Sequence, residues 1–379
     1  METHREGAAA LYNPRYGMID AWRGLAALAV VLSHLELGPS INVGYMAVMV
    51  FFVISGYCIA ASADSCLRRG YGFREYMWRR VRRIYPPYFF ALCFFAVTRV
   101  LKKWSGMGEG LSRDLVAWLQ QLTMTQWFSL VTHPKPYPTQ NNALFVSAFW
   151  SLNYEEQFYL IVGLLLVVSV LTRRSLLGGV AVLMGVGLVW DILHPSTAYG
   201  FFVEYWVHFA LGVLVFYRLC KIRTPRGRRL IDAFLMVFVT ASLVVWIECV
   251  RLSVLDDRSV YTEWVVAGGF ALVLIALRRW DPWFKKSLMG KGLSGLGAIT
   301  YSLYLIHQFN LTAAFAVANK LVTHGVPKVF YIPIETGVLV GIATVFWYYC
   351  ERPFVNQPLT APASEDSLAY HSAPLPVEG

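Results

Sequence analysis

Residues 18–37 read MIDAWRGLAALAVVLSHLEL, an apolar run that nevertheless carries Asp20, Arg23 and His34. The run is close to the ~20 residues that a helix needs to cross a bilayer. At about 100° per residue, Asp20 and Arg23 each return to within ~40° of the direction of His34. The three polar groups therefore share one helical face, with Ala27 near the same line. At a rise of ~1.5 Å per residue, Arg23 and His34 stand roughly 16 Å apart along the axis. An ionisable group near the bilayer centre costs at least ~2.5 kcal/mol, so it turns toward protein or water and commonly serves a function. A buried structural histidine between two interfacial charges is the plainer reading of the same residues. The shared face favours the functional one.

The rest of the chain extends the same environment. Of 379 residues, 57% are hydrophobic, and ten apolar spans can be marked at 18–37, 43–62, 84–101, 145–171, 175–191, 199–218, 230–250, 262–278, 298–319 and 331–350. The expected fold is all-α, a polytopic membrane protein of about ten transmembrane helices. A net charge of +10 would suggest nucleic acid in a soluble protein; here its distribution reports topology instead. With a cytoplasmic N-terminus, 23 Lys and Arg fall on inner segments and 9 on outer ones, Arg23 lying within the first span. That asymmetry follows the positive-inside rule and places both termini in the cytoplasm. The polar residues before the first span, and the charges in it, indicate a retained helix and not a cleaved signal. The expected organisation is a cytoplasmic leader at 1–17, a membrane domain at 18–355 and a disordered cytoplasmic tail at 356–379, rich in Pro, Ser and Ala. The six cysteines form no pair in an outer segment, and no metal-ligand spacing appears.

Several stretches carry chemistry. Span two ends in FFVISGY (51–57), where Ser55, Gly56 and Tyr57 serve close helix packing or a site equally well. Before span three, RRVRRIYPPY (79–88) sets Arg79, Arg80, Arg82 and Arg83 on two neighbouring helical ridges. Guanidinium groups bind phosphate bidentately, although such a cluster also anchors to anionic lipid. The outer segment 102–143 contains Leu111–Leu130, with Leu115, Trp118, Leu119 and Leu122 on one side, which predicts an interfacial amphipathic helix. Span four opens with FWSLNYEEQFYL, placing Ser151, Glu155 and Tyr159 on one face. The charge-derived topology puts Glu155 at a depth similar to that of His34, and a carboxylate beside an imidazole orients it and raises its basicity. Span nine holds Tyr304 and His307 at i, i+3. Glu204, His208 and Glu248 read as packed or interfacial.

Together these stretches resemble the integral-membrane acyltransferase family 3, bacterial O-acetyltransferases that modify polysaccharides, lipopolysaccharide and some antibiotics. The resemblance covers about residues 17–355. It is carried by Asp20-x-x-Arg23 with His34, FFVISGY (51–57), RRVRRIYPPY (79–88), WSLNYEEQFY (150–159), TYSLYLIH (300–307) and ERP (351–353). Ala47 stands where the family often has Gly, and Thr300 where Ser is usual. The resemblance implies that His34 is catalytic, that Arg23 and Glu155 belong to the same site, and that Arg79, Arg80, Arg82 and Arg83 meet an acyl-CoA.

These readings converge on an O-acyltransferase of the bacterial inner membrane. It would move an acyl group, acetyl by preference, from cytoplasmic acyl-CoA to a hydroxyl of a polysaccharide, glycolipid or other glycoside. His34, Glu155 and Arg23 are the catalytic candidates, and the four arginines bind the co-substrate. Asp20, Ser55, Tyr57, Ser151, Tyr304 and His307 are further candidates. No bound cofactor, metal or nucleic acid is expected. The competing class is a proton-coupled transporter, which also uses intramembrane His, Glu and Arg.

Overall fold

The computed structural model describes residues 16–35, 43–106, 110–112, 114–195, 197–253 and 259–355. The expected leader, up to residue 15, and the expected tail at 356–379 lie outside them. Among the described residues there is no strand, only one isolated bridge between Lys135 and Ala198. The chain is an all-α polytopic membrane protein.

Eight helices are long and apolar enough to cross a membrane. They contain α2 (Val43–Arg68), α3 (Phe73–Trp104), α6 (Trp150–Thr172), α7 (Leu176–Leu193), α8 (Val203–Phe216), α9 (Pro225–Arg251), α10 (Val260–Leu277) and α14 (Tyr331–Phe346). Two further helices reach comparable length, α1 (Gly17–His34, 18 residues) and α13 (Thr300–Thr323, 24 residues). They are more polar because they carry Asp20, Arg23 and His34, and Tyr304, His307, Gln308 and Asn310. The ten correspond to the ten spans in the sequence.

The helices cross closely where side chains vanish. A Cβ on Gly56 would stand 2.0 Å from the Phe209 carbonyl oxygen, and one on Gly212 would stand 1.9 Å from that of Val53. Thus α2 and α8 touch backbone to backbone, which is the packing role of small residues in membrane helices. The same device joins α1 to α12 (Leu288–Ala298), a short helix before α13. A Cβ on Gly297 would meet the Asp20 carbonyl oxygen at 1.9 Å. The first turn of α1 is tied down by Asp281, whose Oδ1 accepts from the Met18 N–H at 2.9 Å, at the start of α11 (Asp281–Lys286). A carboxylate there satisfies an orphan donor and complements the helix dipole. Span nine therefore begins at Thr300, and the glycine-rich stretch before it is a separate helix laid against α1.

The third span lengthens and one expectation about the outer segment needs correction. The arginine cluster and the span after it form one helix, α3, which continues through Pro86 and Pro87. These prolines offer no N–H to the carbonyls of Arg82 and Arg83. The single amphipathic helix expected over 111–130 is two short ones, α4 (Leu115–Thr123) and α5 (Phe128–Thr132). Met124, at φ 55°, ends α4 in the left-handed conformation, and Asp114 caps its start. Leu115, Leu119 and Leu122 stay exposed, while Gln121 is buried and bonds Tyr88 of α3. The polar side of α4 thus docks on the protein, which leaves its leucines for lipid.

Candidate active site

Five helices line the site, and three of them form its walls. On α6, Ser151, Glu155 and Tyr159 recur at i, i+4 and all line one cavity. On α13, Thr300, Tyr301 and Tyr304 line the facing wall. The two helices run antiparallel: Ser151 Oγ lies 2.7 Å from the Tyr304 hydroxyl, and the Ala148 N–H donates to Gln308 Oε1 at 3.1 Å. The third wall comes from α2, with Phe51, Phe52, Ser55 and Cys58. The enclosed space is about 110 Å³, room for several waters or a thin chain.

One end of the cavity is cationic. Arg23 from α1 and Arg80 and Arg83 from α3 line it together. The Arg80 guanidinium lies 5.1 Å from the Tyr159 ring centroid and 5.8 Å from that of Tyr76, a cation–π arrangement. Arg80 Nε is buried without a hydrogen-bond partner. Only two of the four cluster arginines reach this space. Arg80 and Arg83 share an i, i+3 ridge, whereas Arg79 is turned toward Tyr71, 5.0 Å from its ring centroid. Arg82 is not part of the lining. Of the four, Arg80 and Arg83 line the cavity, together with Arg23.

Glu155 sits beside that cationic end. It accepts from Ser55 Oγ at 2.9 Å and from the Tyr159 hydroxyl. The expectation that Glu155 orients His34 is corrected by this geometry. From the Ser151–Tyr304 contact, Glu155 lies four residues toward one end and His307 three residues toward the other, about 10 Å in total at helical rise. His34 instead faces His307, their ring centroids 5.2 Å apart. The His307 Nδ1 is 2.9 Å from the Tyr304 carbonyl oxygen and 3.2 Å from that of Leu303. A carbonyl accepts only, so a neutral His307 carries its proton on Nδ1. Its Nε2 is then a bare acceptor, buried and without a hydrogen-bond partner. His34 is half-buried at the last turn of α1, while His307 is fully buried. The cavity therefore runs from three arginines, past Glu155 and Ser55, to Ser151 and Tyr304; the two imidazoles are not in its lining, and His307 lies beside Tyr304 with ring centroids 6.0 Å apart.

The remaining candidates fall outside it. Asp20 pairs with Arg23 at 3.8 Å, but its side chain is 55% exposed and does not line the cavity. Tyr57 packs edge-on against Tyr16 and Phe216, with its hydroxyl 3.4 Å from Cys220 Sγ. The ERP stretch supports the site from behind. Glu351 accepts from the Ser302 N–H at 3.1 Å and Ser302 Oγ at 2.5 Å, placing a carboxylate in the first turn of α13. Sequence reading missed Tyr301 and Cys58 of the lining. Tyr301, in the TYSLYLIH stretch, precedes Tyr304 by three residues and donates to the Ile84 carbonyl at 2.9 Å. Their helical spacing to Tyr304 and Ser55 was the available signal.

The model of the acyltransferase-domain family matches residues 16–350. The chain belongs to that family. In more particular terms, it is 24% identical over 368 residues to O-acetyltransferase OatA of Staphylococcus aureus strain NCTC 8325 / PS 47. OatA of strain COL matches to the same extent. Each alignment covers 90% of this chain and 58% of the relative, so the chain spans somewhat over half the length of these relatives. No solved structure matches it significantly.

Proposed function

We propose that the protein is an acyl-CoA-dependent O-acyltransferase of the cytoplasmic (inner) membrane, taking acetyl-CoA as donor and a hydroxyl of a cell-envelope glycoside as acceptor. One observation carries the reading. A cavity lined by Arg23, Arg80 and Arg83 at one end reaches Tyr304 at the other, whose ring lies 6.0 Å from that of His307, the neighbour of His34. Arg23, Arg80 and Arg83 suit the phosphates of a coenzyme A thioester, because guanidinium groups bind phosphate oxygens in pairs. The narrow bore suits its unbranched arm. The ~16 Å of helical rise between Arg23 and His34 is the span such an arm has to cover.

In this reading His34 removes the proton of the acceptor hydroxyl. The oxygen attacks the thioester carbonyl, the carbon–sulfur bond breaks, and the thiolate leaves as CoA after taking up the proton. His307, whose ring centroid lies 5.2 Å from that of His34, offers its Nε2 as an acceptor for a His34 N–H and so holds that imidazole. General-base help of this kind is worth ~10²–10⁴ in rate. The Tyr304 hydroxyl, which donates to the Ala148 carbonyl and meets Ser151 Oγ, would turn that proton to the developing oxyanion. Glu155 balances the arginines and positions Ser55 and Tyr159. The relatives named OatA, as O-acetyltransferases, support the acetyl group and the oxygen acceptor. CoA binding to the purified protein tests the donor end. The Arg80→Ala/Arg83→Ala variant should lose at least about tenfold in affinity, and an unchanged titration would contradict the assignment.

A further inference from the structure

The stretch 278–298, RRWDPWFKKSLMGKGLSGLGA, joins α10 to α13 by way of α11 and α12. It lies at the end of the bundle where α1 begins, since Asp281 binds the Met18 N–H and the Tyr16 hydroxyl donates to the Leu274 carbonyl at 2.8 Å. The positive-inside distribution of Lys and Arg assigns that end to the cytoplasm. The outward surface of the stretch combines apolar and basic groups. Leu288 is 87% exposed and Trp283 66%, and Trp280 and Met289 are exposed as well. So are Arg279, Lys286 and Lys291. The one acid of the stretch, Asp281, is buried and engaged by Met18 and Lys285. We propose that α11 and α12 dock on anionic phospholipid headgroups of the inner leaflet, and that this contact holds in place the segment of α1 that carries Arg23.

Helical register gives α12 two faces. At about 100° per residue, Gly290, Leu293 and Gly297 fall on one side, and Leu288, Lys291 and Gly295 on the other. The first side is the more buried and meets α1. A Cβ on Gly24 would stand 2.9 Å from the Leu293 carbonyl oxygen, and one on Gly297 would stand 1.9 Å from that of Asp20. Arg23 lies between these two backbone contacts. The turn from α11 to α12 is equally tight. A Cβ on Gly290 would stand 2.0 Å from the Phe284 carbonyl oxygen, and Ser287 Oγ accepts from the Gly290 N–H at 2.9 Å. The two short helices and the first turns of α1 therefore move as one piece. The outward side, with Trp280 and Trp283, has the make-up of an interfacial element, apolar groups edged with cations. Anionic headgroups satisfy both parts: leucine and tryptophan sink to the acyl boundary while Lys286 and Lys291 meet phosphate. A second copy of the same surface would instead set like charges face to face.

The link to CoA rests on the donor site proposed above; the docking does not, and the test keeps them apart. The full-length protein is placed in nanodiscs of phosphatidylcholine alone or of phosphatidylcholine mixed with phosphatidylglycerol. Leu288→p-benzoylphenylalanine, a photo-cross-linker, should label lipid, with phosphatidylglycerol preferred in the mixed discs. Amide exchange over 17–24 of the wild type should be slower by about threefold or more in the mixed discs. CoA affinity should rise there by a similar factor, although an anionic surface by itself repels anionic CoA and would lower it. Lys286→Glu/Lys291→Glu should return exchange and affinity to the phosphatidylcholine values. Arg173→Glu/Arg174→Glu, in the exposed turn after α6, should keep the lipid dependence. The wild-type comparison between lipids needs no variant, so loss of fold does not imitate it. Cross-linking to a second copy of the chain, equal labelling of the two lipids, or unchanged exchange over 17–24 overturns the proposal. Lipid-dependent exchange without CoA binding in either disc keeps the docking and removes the donor site; CoA binding indifferent to lipid keeps the donor site and removes the coupling.

Discussion

Two buried histidine regions of this protein are built from similar groups and arranged in opposite ways. His307 meets another imidazole, that of His34, beside Tyr304 of the cavity lining. His208, on α8, meets Glu263 of α10 at 3.6 Å, and both are almost wholly buried. Glu263 also accepts from the Tyr45 hydroxyl at 2.7 Å, and Tyr45 lies 2.9 Å from the Tyr205 hydroxyl. Tyr45 in turn stacks on Trp150, with centroids 5.7 Å apart. The second region therefore joins α2, α6, α8 and α10 into a closed polar knot. Charge in a membrane is costly in both places. Where such a group faces its counter-group it fixes the fold; where it faces another imidazole next to a polar cavity it remains available for chemistry.

The largest expected effect breaks the knot. His208→Ala empties a fully buried site and removes a neighbour of Glu263, a large-to-small change that costs ~2–5 kcal/mol. Thermal unfolding in detergent should show a markedly lower midpoint, while the folded fraction keeps its affinity for CoA. A smaller effect comes from Gly297→Ala. The new methyl would stand 1.9 Å from the Asp20 carbonyl, so α12 and α1 must part at a cost of ~1–3 kcal/mol. Because Arg23 rides on α1, both the midpoint and CoA affinity should fall. Arg80→Ala, on the open side of the comparison, should weaken CoA about tenfold, or ~1.4 kcal/mol, without lowering the midpoint. The mildest is Ser302→Ala, which removes one hydroxyl donor to Glu351, worth ~1 kcal/mol; a small drop in midpoint with normal CoA binding checks it. If His208→Ala abolished CoA binding in folded protein, the division between the two regions would fail.

Much of the site was legible because helical periodicity is one-dimensional. Ser151, Glu155 and Tyr159 were placed on one face by spacing alone, and all three line the cavity. Tyr304 and His307 were read the same way. What spacing cannot supply is the rotation of one helix against another. Glu155 and His34 were matched by depth, yet Glu155 turns to Ser55 while His34 turns to His307. The same limit explains Arg79, which shares a helix with Arg80 but faces Tyr71. The reading of Gly56 as close packing was available because a missing side chain has only one use in a crossing this tight. The helix at Leu288–Ala298 was hidden because glycine-rich stretches score poorly as helix, and its stability comes from contact with α1.

The most direct test of the central claim uses the purified full-length protein with radiolabelled acetyl-CoA and glycoside acceptors, comparing wild type with His34→Ala. The account predicts CoA release and labelled acceptor from wild type. It also predicts a loss of ~10²–10⁴ in transfer for the variant, with CoA affinity and thermal midpoint retained. Normal acetyl transfer by His34→Ala would contradict the account. Absence of any acetyl-CoA turnover by wild type would turn the reading to proton-coupled transport through the same histidines.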